Sequence, residues 1–193
     1  MQKIFLLNKA IIKNLDESVI DGLKISDLTL EKQKDKDLYI ATRLIENYVL
    51  NGRIKCVTNE GKPYAESGSR YNLSQVGDYA CAIEADEECG IDIAKEQKFT
   101  DHFKERLFKE GVSLDTDLDV LKAWTIKEAC VKCVGIGLKG IFDVEILSCD
   151  KCRYMGKEYF YKSFFFDEYC ISVVMENKID VDTISELQET DFN

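Results

Sequence analysis

The sequence predicts an α+β fold, pseudo-duplicated into two similar halves, each with a long helix packed on a small antiparallel sheet. Three observations lead there. A helical pattern followed by strand patterns occurs twice, once before about residue 88 and once after it. Only one proline (Pro63) and no low-complexity run interrupts the chain. With 193 residues, 45% of them hydrophobic, there is enough apolar material for substantial cores. The halves divide as residues 1–88 and 89–193.

The first strand is the amphipathic alternation at the N-terminus, within MQKIFLLNKAIIKN. A helix follows over Lys36–Leu50, where Leu38, Ala41, Leu44, Ile45, Tyr48 and Val49 recur at helical spacing and Asn51-Gly52 supplies the stop. Ile54–Val57 reads as a short strand, Gly61-Lys62-Pro63-Tyr64 as a turn into extended chain, and Tyr79–Glu84 as a strand. The stretch Tyr71–Asp78 has the composition of a loop whose Asn, Ser and Gly can present donors to a phosphate. After the acidic connector Asp86-Glu87-Glu88 come a strand at Gly90–Ile93 and a helix at Thr100–Glu110. A long helix over Leu118–Val134 follows, stopped by Gly135-Ile136-Gly137. Val144–Leu147, Glu158–Phe166 and Tyr169–Glu176 read as antiparallel strands, with a turn at Asp167-Glu168. The acidic tail after Asn177 reads as a surface appendage.

The long second helix carries a conflict. At about 100° per residue, Val120, Trp124 and Val131 share an apolar face, yet Lys127 and Glu128 point into the same arc and Lys132 sits at its edge. Charges buried without partners are costly, so these need a metal, an anionic ligand or each other. The Gly90–Ala94 strand supplies another carboxylate, since alternation puts Ile91 and Ile93 on one face and Asp92 on the other. Spacing alone leaves two solutions. Asp92 and Glu128 can chelate a hard divalent cation such as Mg²⁺, or Glu128 pairs with Lys132 one turn on while Asp92 caps a turn.

Composition removes several function classes. A net charge of −10 argues against nucleic-acid binding, which needs basic surface. The single histidine, His102, lies in a charged helical stretch and reads as a surface residue, which excludes most histidine-based catalysis. No run approaches the ~20 apolar residues of a membrane span. Eight cysteines with no secretion signal fit a reducing compartment, so a cytoplasmic location is expected.

Taken in order, GKPY (61–64), YNLSQVGD (71–78), GIDI (90–93), WTIKEACVK (124–132) and GIGL (135–138) resemble the 4′-phosphopantetheinyl transferases, in particular the surfactin-synthetase-activating type. The resemblance spans about residues 30–175 and agrees with a two-half α+β layout. It implies that coenzyme A binds between the halves, with its main contacts in the first. A serine of an apo acyl or peptidyl carrier protein then takes the phosphopantetheine, and 3′,5′-ADP leaves. Carried over by position, Asp92 and Glu128 bind Mg²⁺, Glu128 also accepts the serine proton, and Lys132 stabilises the pyrophosphate. Lys62, Ser74 and Gln75 hold the nucleotide end, with Lys127 as a further phosphate or structural contact and Arg43 as a further phosphate contact. Two positions depart from the family pattern: Ala94 stands where a second acid is common, and Gln75 where histidine is common. Because one chain carries both halves, a monomer is expected.

Two alternatives remain. Ala94 motivates a non-catalytic relative that binds coenzyme A or a carrier protein. Cys130-x-x-Cys133 and Cys149-x-x-Cys152, fifteen residues apart, match zinc-ribbon spacing and motivate a zinc-stabilised interaction module. The first pair falls inside a helix, however, where cysteine serves as a small hydrophobe.

Overall fold

The computed structural model describes residues 2–23, 35–108 and 116–192. It has the expected α+β architecture: two sheets, each carrying one long helix. Strand β1 (Lys3–Asn8) leads through a 3₁₀ segment to the short helix α1 (Glu17–Asp21). Helix α2 (Lys36–Leu50) begins where the Asp35 carboxylate accepts the Leu38 amide, and ends at Asn51 in the left-handed conformation. Strands β2 (Lys55–Val57), β3 (Pro63–Ala65), β4 (Arg70–Val76) and β5 (Tyr79–Ala85) complete the first half.

The second half opens with β6 (Cys89–Lys95), followed by α3 (Asp101–Leu107) and α4 (Asp117–Val134). A 3₁₀ segment leads to β7 (Glu145–Ile146), β8 (Lys151–Tyr154), β9 (Lys157–Phe166) and β10 (Tyr169–Met175). With β11 (Ser185–Glu186) in the tail, the first sheet has the order β11-β1-β5-β4-β3-β2 and the second β6-β10-β9-β8-β7. Apolar residues of α2, among them Leu44, Ile45 and Val49, pack with Phe5, Leu7 and Tyr71 of the first sheet. Ile4, Leu6 and Ile83 meet Ile91, Ile93, Ile171 and Val173 in a core between the sheets. Helix α4 packs against the far side of the second sheet, where Ile126, Ala129 and Cys130 meet Cys152, Tyr161 and Val174.

Two expectations differ from the structure, and one strand was not expected. Tyr71–Gln75 is not a loop but lies within β4, paired along its length with β5. Its Asn72 and Ser74 are strand residues two apart and so share one face, which composition does not reveal. The tail after Asn177 is structural: β11 (Ser185–Glu186) pairs in parallel with β1, and Leu187 is buried in the first core. Strand β8 falls in a polar stretch without alternation, and its register comes from β9 beside it. The end of the predicted 100–110 helix reaches beyond the described residues, which stop at 108.

Candidate active site

Helix α4 is aimed by local chemistry at both ends. The Thr116 side chain caps the first turn by accepting the Asp119 amide, and Asp117 and Asp119 favour the positive end of the helix dipole. At the other end Gly135 takes φ 85° and closes the helix, with Lys132 in the last turn. Between them α4 lies directly on β6. A Cβ built on Gly90 would stand 2.0 Å from the Ala129 carbonyl oxygen and 2.5 Å from the Cys133 nitrogen, so only glycine permits this approach.

Strand alternation then does the rest. Ile91 and Ile93 enter the core between the sheets, while Asp92 projects toward α4, with Ala94 packed on Leu121 and Cys170 of that side. Because β6 is the edge strand of the second sheet, β4 can meet it. Asn72 of β4 accepts the Ile91 amide at 3.2 Å, and Ser74, on the same face of β4, reaches the carboxylate.

The result is a compact charged cluster. The Asp92 Oδ1 accepts from Lys132 Nζ at 2.6 Å and from Ser74 Oγ at 2.8 Å, and Lys132 Nζ also donates to Ser74 at 3.0 Å. Asp92 is 3% exposed, and its Oδ2 is buried with no hydrogen-bond partner. Lys132 is therefore ion-paired with Asp92 across the helix–strand contact, and the same-helix pairing with Glu128 is not the one that forms. Burial, against the pull of Lys132, raises the Asp92 pKa. Glu128 is raised too, first by burial and then by the Asp92 charge, with Lys132 and a hydrogen bond from the Trp124 side chain opposing. Two carboxylates against one ammonium leave the cluster short of positive charge. All three side chains, with Ser74, Gln75 and Trp124, line one cleft of about 690 Å³.

Residues 88–175 match the family model of the 4′-phosphopantetheinyl transferase superfamily. The matched stretch runs from the residue before β6 to the end of β10 and contains Asp92, Glu128 and Lys132. It supports phosphopantetheine transfer in general as the chemistry of this chain. No curated protein matches the chain.

The other residues that the resemblance to this superfamily singled out are spread more widely. Gln75 reaches the cleft wall, where its Oε1 accepts from Thr42 of α2. Arg43 lies over the Tyr39 ring at 5.4 Å and pairs with Glu46, a buried carboxylate that also holds Lys55 at 2.6 Å and Tyr71 at 3.0 Å. Lys127 is turned away: its Nζ donates to the Val144 carbonyl at 2.6 Å beside a separate cavity of about 240 Å³. Lys62, also buried, pairs with Glu88 and donates to the Cys133 carbonyl at 2.6 Å. Of the cleft-lining set, the transferase resemblance named Ser74, Gln75, Asp92, Glu128 and Lys132.

Sequence reasoning offered Asn72 only as a donor to a phosphate, whereas it accepts the Ile91 amide, and it passed over the hydroxyl row beneath α4. Ser163, Ser172 and Thr125 are linked at 2.8 and 2.7 Å, and Ser172 stands opposite Asp92 on the neighbouring strand. A strand reading of 71–75 would have put Asn72 and Ser74 on one face; the hydroxyl row carries no sequence signal because its members lie on three elements.

For a cation, the donor set fits: Asp92 Oδ2 is an orphaned buried oxygen, Glu128 shares its cleft, and Mg²⁺ takes one or two protein carboxylates. The cysteines offer no such picture. Cys130, Cys133 and Cys152 are buried in the apolar core behind α4 while Cys149 is exposed, and burial pushes the Cys133 thiol up to about 12. Among the described residues no group of three or more His, Cys, Asp or Glu side chains is placed to hold a metal. Nor is any described helix long and apolar enough to cross a membrane.

Proposed function

We propose that this chain transfers 4′-phosphopantetheine from coenzyme A to a serine of an apo acyl or peptidyl carrier protein, releasing 3′,5′-ADP. The observation that carries the reading is the unpartnered Asp92 Oδ2 beside Glu128, in a cleft whose ammonium group is already tethered. Asp92 and Glu128 would hold Mg²⁺, which when bound neutralises charge on the pyrophosphate.

The chain's own residues account for the remaining steps. Glu128, whose carboxylate is less stable as an anion than an ordinary glutamate, accepts the serine proton. The serine Oγ forms a bond to the β-phosphorus while the bond from that phosphorus to the bridging oxygen breaks, and the electron pair leaves on 3′,5′-ADP. Lys132, held in place by Asp92 and Ser74, donates to the phosphate oxygens as charge moves onto the leaving group. Ser74 and Gln75 hold the nucleotide side of the cleft. Ala94, packed on Leu121 and Cys170, offers no ligand, so water would have to take the place that an acid there would fill.

The surfactin-synthetase-activating type remains our assignment on the Trp124–Lys132 motif. A single chain as the functional unit is supported by β4, β6 and α4 all contributing to one cleft. A cytoplasmic site of action is supported by eight free thiols. The test is to incubate the protein with coenzyme A, Mg²⁺ and a panel of apo-carrier proteins and to weigh each carrier. A phosphopantetheine adduct on a carrier serine is expected. Coenzyme A binding with no adduct on any carrier would favour the non-catalytic relative instead.

A further inference from the structure

Lys62 is a buried lysine whose ammonium binds two acceptors outside the cleft. The turn that presents it is tight: Gly61, at φ +86°, donates its amide to the Thr58 carbonyl at 2.9 Å, and the Lys62 amide donates to Thr58 Oγ1 at 3.2 Å. From there the side chain runs inward, 8% exposed, with its Cδ 3.6 Å from where a Cβ on Gly135 would stand. Its Nζ donates to the Cys133 carbonyl at 2.6 Å and to the Glu88 carboxylate.

Both partners matter to the catalytic pair. The Cys133 carbonyl is one of the last four of α4, which have no partner within the helix, and a cation there also complements the negative end of the helix dipole. Lys132 is the residue before it and Glu128 lies about one turn earlier. Glu88 immediately precedes β6, four residues before Asp92, and is further held by Arg70 at 2.8 Å. The Cys133 thiol closes the ring by donating to the Glu88 carbonyl at 3.4 Å. One side chain of the first half thus ties the start of the strand that bears Asp92 to the end of the helix that bears Glu128 and Lys132.

We infer that Lys62 is a positioning residue that sets the register of α4 on β6, and not a coenzyme A contact. The inference rests on the proposed transfer reaction for its catalytic consequence, while the pin itself is independent of it. Lys62→Met removes the donor but keeps the apolar stem. In the intact protein it should lower kcat by about 10–100-fold with the KM for coenzyme A little changed, because a misplaced catalytic group costs rate more than binding. The amides of the last turn of α4 should exchange with solvent faster than in the wild type, and Lys62→Arg should restore much of both. If Lys62→Met does not fold, Glu88→Gln, which leaves the ammonium without its counter-charge, carries the same comparison. A large rise in KM with kcat intact would overturn the inference in favour of direct contact; so would unchanged kcat and unchanged exchange. Should the wild type modify no carrier, the transfer reading fails, and the exchange of the α4 amides alone decides the pin: unchanged protection overturns it.

Discussion

At the scale of single residues, the site is held at a cost to stability. The Glu128 pKa is raised above its ordinary 4.5 by burial and by Asp92, so the folded protein binds that proton more tightly than the unfolded chain does. The contribution of Glu128 to folded stability is therefore greatest below the ordinary carboxyl range and is lost as pH rises through the raised value. At neutral pH the ionised group weakens the fold. Glu128→Gln should accordingly raise the melting temperature in metal-free buffer by about 2 °C, a small shift because the group is only partly buried. Mg²⁺ should stabilise the wild type by binding the folded state and have little effect on the variant. Calorimetry with and without Mg²⁺ reads both; a lower melting temperature for the variant, or an equal response to Mg²⁺, would count against the charge-starved site. The sequence showed this conflict as charge in an apolar arc, but not its resolution. Lys132 lies four residues from Glu128, and only the fold brings it to Asp92.

At the scale of elements, α4 on β6 is the decisive contact, and Gly90 makes it possible. Gly90→Ala would drive a methyl group into the Ala129 carbonyl and the Cys133 nitrogen, both backbone, so the helix itself must move. A loss of about 3 kcal/mol in urea unfolding is expected, at the upper end of the usual cost of overpacking. A change within a few tenths of a kcal/mol would contradict the close approach. The long helices were legible because their spacing and stop signals are local: Lys36–Leu50 matches α2, and Leu118–Val134 matches α4 to within one residue. The face of α4 was less so. Buried residues occur around most of that helix, because α3 and the 3₁₀ segment cover what the sheet does not. A single apolar arc therefore misdescribes it. Lys127, drawn into the arc, faces Val144 and a separate cavity.

At the scale of the whole molecule, the two halves are stitched together in both directions. Lys62 reaches from the first half to the end of α4, and the tail of the second half returns to pair with β1 of the first sheet. The acidic composition of that tail hid its role, although Leu187, 4% exposed in the first core, and Ile179, in the core between the sheets, anchor it. Leu187→Ala should cost about 2–3 kcal/mol in denaturant unfolding; a negligible loss would return the tail to the surface. The two-sheet layout and the residues at its junction were foreseeable from the order of motifs. The bonds across the junction were not, because they join residues as far apart as Lys62 and Cys133.

The account turns on Asp92 and Glu128 serving a transferase. The most direct measurement is the rate at which one apo-carrier protein gains phosphopantetheine from coenzyme A in Mg²⁺, followed by intact mass for the wild type and for Glu128→Gln side by side. The account predicts an adduct on the carrier serine with the wild type and formation slower by at least about 100-fold with the variant. An equal rate for the two proteins, or no adduct with the wild type on any carrier, would contradict it.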